Sequence, residues 1–313
     1  MQIKPQFKHN LIKKALKRYR YDEVLNQFDT KENFYEDYSF FTRKKNLKKN
    51  IDVVYETLSG TPNCNHIAAK NLLFQGNDDC WKFFERTAQF FAYSYTGRSF
   101  PFIDPIAPLL NFALYVERID LIELLLTKAA ADLERDEYKN NKEYIKQKVY
   151  PSTYLTHFLI EKLGIPNPVK DKVMQYGDGL GIYERIVAEW DHQFNEIEEE
   201  YWNSLCEYHL NGIGVTGTKW KDEEFLYFGL VPMELINLFK VRQKLGLAVP
   251  VINHELFSTP MAKYPMIPTG YNSELDVKFQ LVERTKKEKK IYTFEEIAEQ
   301  LKKEHGEDAD LFY

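Results

Sequence analysis

Histidine and carboxylate at helical spacing are the residues of this sequence best placed to do chemistry. His192 and Glu196 stand four apart and Glu196 and Glu200 repeat the interval, so a helix would carry all three on one face, as an imidazole and carboxylate metal site requires. A metal-dependent hydrolase could be built on that set with further acids. No second histidine lies at metal spacing and no H-E-x-x-H occurs, so the three are read as ordinary surface residues. His66, two residues from Cys64, has no acid or base partner that the sequence can name. Cys64, Cys80 and Cys206 are odd in number and widely spaced, which argues against a zinc or redox cluster and fits a reducing cytoplasm. Gly212, Gly214 and Gly217 spell G-x-G-x-x-G, but the pattern follows a helical segment and runs into Lys219, Trp220 and Lys221. A pyrophosphate turn should follow a strand and open a helix, so this one is read as a flexible loop. The expectation is a protein with no catalytic residue, no cofactor and no metal.

Charge points the same way. Lys44, Lys45, Lys48 and Lys49 sit near Phe40 and Phe41, and Lys13, Lys14, Lys17 and Arg18 precede them, which raises nucleic-acid binding. The chain is nonetheless acidic overall, with net charge −5 and pI ≈ 5.9, and no nucleic-acid reader motif occurs, so a solvated helix face is the simpler reading. Residues 1–50 hold 13 Lys/Arg against 6 Asp/Glu, whereas residues 184–207 hold 8 Asp/Glu against Arg185 alone. Such separation of sign describes either two solvated faces or a surface for a partner of opposite charge. The most apolar segment, Ile119 to Ala131, contains Asp120, Glu123 and Lys128, so no membrane span is expected. Met1 to Tyr21 lacks an apolar targeting core and a small-residue cleavage site, and reads as a first amphipathic helix.

The elements that must hold these residues are helices. With 22 Phe and 21 Tyr in 313 residues there is ample material for a core. From Asp120, with Glu123 completing a capping box, Ile122, Leu125, Leu126, Ala129, Ala130 and Leu133 follow helical spacing. Leu121 and Leu124 are apolar too, which predicts a central helix buried on most sides. Ile182, Ile186, Trp190, Phe194, Ile197, Tyr201, Leu205 and Tyr208 form one stripe at intervals of three and four. They predict one long helix, or two consecutive ones, with Glu196 and Glu199 adjacent on an acidic outer face. Pro232 opens a further helix carrying Leu235, Leu238, Phe239 and Leu245, ended by Gly246 with Pro250 beyond. Thr293 and Glu296 cap the last helix, with a Tyr292 to Ile297 staple, and Gly306 ends it. Val277, Phe279 and Leu281 alternate with polar residues and predict at most one short strand. Pro260 to Pro268 and the stretches near Gly177 and Gly212 are expected loops. The expected fold class is all-α, an irregular array of antiparallel helical hairpins. Residues 1–165 and 166–275 are expected as two packed helical regions, followed by an appendage at 276–313.

Four segments carry a family resemblance. Ala92-Tyr93-Ser94-Tyr95-Thr96-Gly97, Tyr183 to Trp190, Tyr201-Trp202 through His209, and Tyr227-Phe228-Gly229 with Pro232-Met233-Glu234 occur in that order. Together they resemble the helical immunity proteins of bacterial polymorphic-toxin systems, notably the PoNi family, which neutralises DNase toxins. The likeness covers residues 90–250, with Leu230 and Val231 standing where a tryptophan would be expected. It implies a cytoplasmic inhibitor that binds a cognate protein toxin and blocks its active site, and no chemistry of its own. Because nucleases meet phosphate through Lys and Arg, an acidic surface could occupy the same ground, and Asp191, Glu196 and Glu199 are the candidate partner-binding residues. The alternatives from other classes are the metal-dependent hydrolase and a scaffold or regulator with another protein partner.

Overall fold

The computed structural model describes residues 10, 12–13, 31–42, 51–97, 106–135, 149–175, 179–213, 224–225, 227–264 and 270–313. Of the first expected helix only Asn10, Ile12 and Lys13 fall within this set; all three are helical and Ile12 is buried. Lys14, Lys17, Arg18, Lys44, Lys45, Lys48, Lys49, Gly177, Gly214 and Gly217 lie outside the described residues.

The fold is all-α, 68% helical, and the described residues contain no strand; an isolated bridge joins Asp276 to Phe312. The principal helices are α1 (Lys31–Thr42), α2 (Gly60–Gln75), α3 (Cys80–Gly97), α4 (Ile106–Tyr115), α5 (Ile119–Leu133) and α6 (Pro151–Lys162). They continue with α7 (Lys170–Val173), α8 (Glu184–Ala188), α9 (Glu199–Gly212), α10 (Met233–Lys244), α11 (Val277–Glu288) and α12 (Phe294–His305). Short turns fold α2 on α3 and α4 on α5 as hairpins, and α3 packs on both α4 and α5. A 3-10 helix, Ile51–Ser59, crosses α3 and α11.

The helix expected at the centre is not the one found there. Every residue of α10 from Met233 to Arg242 is buried, and this helix packs on α4 and α6. Helix α5 instead buries a single face, Leu121, Ile122, Leu125, Leu126 and Ala129, leaving Glu123, Thr127 and Ala131 exposed. Nor does Asp120 cap it: Arg118 holds the cap position, and its guanidinium takes the Asp120 carboxylate at 2.6 and 2.7 Å. A charged donor next to the helix start outcompetes the backbone amide for the same oxygens.

The strand expected at Val277 to Leu281 is the first turn and a half of α11. Asp276 accepts from the Phe279 amide at 3.0 Å as its N-cap, and Val277, Phe279, Leu281, Val282 and Thr285 are buried. Alternation over five residues failed as a guide because Val282 and Thr285 extend the buried set at helical spacing. The last helix is as expected, with the reciprocal Thr293 and Glu296 capping box and Gly306 at its end.

Two apolar cores result. The larger draws on residues from Ile12 to Met261 and crosses the 165/166 boundary; the smaller joins Phe34, Tyr38, Val54 and Leu58 to Val277, Val282, Phe294 and Leu301. A buried ion pair links α3 to the start of α11: Arg86 Nε donates to Asp276 Oδ2 at 2.6 Å, and Asn65 and Tyr271 complete the hydrogen bonds. Arg86 also stacks its guanidinium over Phe90 and Phe312. This arrangement is favourable only because nearly every polar atom of the pair is satisfied.

Candidate functional site

The apolar stripe from Ile182 to Tyr208 faces inward as its spacing requires, with Ile186, Trp190, Phe194, Ile197 and Leu205 buried. It is not one helix, nor two in direct succession. Helix α8 stops at Ala188, a 3-10 turn covers Phe194–Glu196, and Ile197 and Glu198 are extended before α9 begins.

The segment after the break is held from 50 residues away. Arg242, buried on α10, donates through Nη2 to the His192 carbonyl at 2.9 Å, through Nη1 to the Trp190 carbonyl, and through Nε to the Ala248 carbonyl at 2.8 Å. Its guanidinium lies 3.4 Å from the centre of the Phe194 ring. Carbonyls engaged this way no longer need the amide four residues on, so the chain can leave the helix there at little cost. Burial lowers the Arg242 pKa, and Asp191 opposes that shift.

Asp191, Glu196 and Glu199 are all exposed on this segment. The expected i, i+3 adjacency of Glu196 and Glu199 on a continuous helix is absent, because the extended residues between them reset the helical phase. Glu196 ends a 3-10 turn and Glu199 opens α9, where a carboxylate also complements the helix N-terminus. Glu198 is engaged by Arg185, which also meets Glu189 at 2.9 Å, whereas Glu196 and Glu199 form no ion pair among the described residues. The same break removes the helical face that His192, Glu196 and Glu200 were to share. Among the described residues no group of three or more His, Cys, Asp or Glu is placed to hold a metal ion.

Behind this surface is a polar network that spacing alone did not reveal. His209 on α9 is fully buried, with Nδ1 2.9 Å from Glu234 Oε1 on α10 and Nε2 2.7 Å from the Gly229 carbonyl. Both ring nitrogens face acceptor oxygens, so Nε2 carries a hydrogen and a second hydrogen lies between Nδ1 and Oε1. Phe225 stacks on the imidazole with centroids 4.8 Å apart, and the same ring explains Gly212: a Cβ there would stand 2.5 Å from Phe225 Cδ2. That clash, rather than a phosphate, gives the first glycine of G-x-G-x-x-G its reason. Gly229 has φ 59, the left-handed conformation that turns its carbonyl within reach of His209.

Glu224 adds a second buried carboxylate, accepting from the Ser152 amide at 2.8 Å and from the Tyr208 hydroxyl; burial raises its pKa against those hydrogen bonds. Tyr183, wholly buried beside Tyr208, has its pKa pushed well up by burial, with Glu234 and Glu224 adding to the shift. Three of the four segments behind the family resemblance thus meet here, through Tyr183, His209 and the pair Gly229 and Glu234. The fourth, Ala92 to Gly97, ends α3 against the 3-10 helix, where Tyr93 packs on Tyr55.

His66 and Lys70, one turn apart on α2, are buried near Tyr227. The Lys70 ammonium donates to the Tyr227 carbonyl at 3.0 Å, and burial brings its pKa down to about 7. The His66 ring stands 6.1 Å from Tyr227, and its pKa is lowered well below the usual value by burial and by Lys70.

No helix among the described residues is long and apolar enough to cross a membrane. Comparison with protein-family models, with curated proteins and with solved structures finds no match for this chain.

Proposed function

We propose that this protein is a cytoplasmic immunity protein that binds a cognate bacterial toxin, a nuclease with a basic surface, and covers its active site. The observation that supports the reading most is the division of labour around Arg242. The buried side of the segment 190–199 is tied to α10 by Arg242, Trp190 and Phe194, while Asp191, Glu196 and Glu199 point their carboxylates to solvent. Carboxylates on a pre-organised segment lose little conformational freedom on docking, and they complement the Lys and Arg that a nuclease uses for phosphate.

The test is to co-express the chain with the product of a neighbouring gene that ends in a nuclease-like domain, and to measure capture and nuclease inhibition. Replacing Asp191, Glu196 and Glu199 together by Lys should leave the melting temperature within a few degrees of the parent. Association should slow by tenfold or more at low salt, since exposed charges mainly steer encounter and are screened as salt rises. Unchanged association at low ionic strength would remove this surface from the interface. Failure of the parent protein to inhibit any neighbouring toxin would overturn the immunity reading.

A further inference from the structure

The eight residues after α10, 245–252, read Leu-Gly-Leu-Ala-Val-Pro-Val-Ile and carry no polar side chain. None of them is buried: Leu245, Gly246, Ala248 and Val251 are exposed and the other four half-buried, with Val251 at 95% exposure. Single exposed aliphatic residues are ordinary on a protein surface, but an uninterrupted apolar run of this length marks an interaction site.

The run is anchored at both ends. The Leu247 amide donates to the Arg242 carbonyl at 2.9 Å, and the Ala248 carbonyl accepts from Arg242 Nε at 2.8 Å. Beyond the run, His254 Nε2 stands 3.1 Å from Glu207 Oε1 on α9, and Leu256 is fully buried. Leu247, Val249 and Ile252 lean on the larger core, which leaves Val251 turned to water. Residues 247–253 belong to no helix, turn or strand, and the amides of Ala248, Val249, Val251, Ile252 and Asn253 make no hydrogen bond among the described residues. An outward aliphatic side chain beside unpaired amides is what an edge strand offers a partner. Pro250 does not prevent such pairing, since alternate residues of an extended chain face the same way and Val249, Val251 and Asn253 keep their amides.

What lies beside the run selects the partner. The guanidinium that takes the Ala248 carbonyl also takes those of Trp190 and His192, so the apolar run and the acidic segment flank one side chain. Residues 189–200 hold six Asp/Glu and no Lys or Arg, with Asp191, Glu196 and Glu199 exposed; Lys244 stands at the head of the run. An apolar centre with an acidic rim complements a basic partner that offers an apolar hollow. A second copy of this chain is disfavoured, because it would set acidic segment near acidic segment.

We propose that residues 245–252 form the apolar centre of the toxin-docking surface: the basic toxin seats Val251 in an apolar hollow and lays an edge strand along Val249, Val251 and Asn253. This rests on the immunity reading above and adds to its acidic rim the contact that holds the complex together once formed.

Binding kinetics and hydrogen exchange with the nuclease-like domain encoded beside this chain test it. Val251→Asn changes a side chain that stands in water, so the melting temperature should not move. Dissociation should quicken at least tenfold, with association at low salt unchanged, because burial of an apolar side chain acts on the lifetime of a complex. The triple Lys variant should do the reverse and slow association. The amides of Val249, Val251 and Asn253 should exchange rapidly in the free protein and become protected in the complex. Equal complex lifetimes for parent and Val251→Asn, or no protection of these amides, would overturn this inference and leave the immunity reading standing. No capture by the parent would overturn both. A dimeric parent that Val251→Asn renders monomeric would assign the run to a second copy and overturn it as well.

Discussion

Lys70→Met should erase a rise in stability between pH 7 and pH 9 that the parent protein shows. The Lys70 ammonium is buried on α2, and burial brings its pKa from 10.5 down to about 7. In the unfolded chain the same amine stays protonated until pH approaches 10.5. Between these values the unfolded state binds more protons than the folded state, so stability increases with pH. Each unit is worth ~1.4 kcal/mol at full slope, and because the folded-state amine is only half deprotonated at pH 7 the rise from pH 7 to pH 9 amounts to ~2 kcal/mol. Methionine keeps the apolar reach of the side chain and cannot titrate, at the loss of ~1 kcal/mol for the hydrogen bond to Tyr227. Burial also raises the Cys80 thiol, up to about 12, and the Cys206 thiol, which lowers stability as the unfolded thiols ionise near pH 9. Parent and variant share those thiols, so the informative quantity is the difference between their urea unfolding free energies, followed by far-UV circular dichroism at both pH values. The difference should move by ~2 kcal/mol in favour of the parent as pH rises. Parallel pH profiles would show that Lys70 is not held neutral by burial.

Three further outcomes follow from buried groups. Trp190→Ala removes a ring packed edge-on against Phe158 at 5.1 Å and lying beneath Arg242, and should cost ~3–5 kcal/mol in chemical denaturation. Asp276→Asn leaves Arg86 as a buried, uncompensated cation and should destabilise by ~3–5 kcal/mol. Adding Arg86→Met should recover part of that loss, and a double-mutant cycle with no coupling would refute the pairing. Burial lowers the His157 pKa to about 4, so the unfolded chain takes up a proton below pH 6.5 that the folded chain refuses. Stability should therefore fall by ~3 kcal/mol as pH drops from 6.5 to 4. His157→Gln should lack that slope, and an unchanged acid profile would count against a neutral buried imidazole.

Class and many element ends were legible in the sequence because they depend on neighbours along the chain. The Thr293 and Glu296 capping box satisfies amides within one turn, and the spacing from Ile182 to Tyr208 reports which side is buried whatever the backbone does between. That same property hid the break: the inward stripe is kept by short helices and turns as well as by one helix, so periodicity could not separate them. For the candidate surface, the exposure of Asp191, Glu196 and Glu199 was readable, but their mutual placement was not. Likewise alternation over the five residues from Val277 to Leu281 pointed to a strand, because the turn that makes them helical is marked only by Val282 and Thr285 beyond them. His209 and Glu234 were visible as separate motif residues, 25 positions apart, with nothing local to join them. What the sequence by itself determined is the helical class and the division of residues between core and water, since hydrophobic periodicity and caps act over three or four residues. The tertiary structure alone decided where the helix is interrupted and which buried polar groups meet. A carbonyl released from its helix must find another donor, and here that donor, Arg242, comes from a helix that only folding brings alongside.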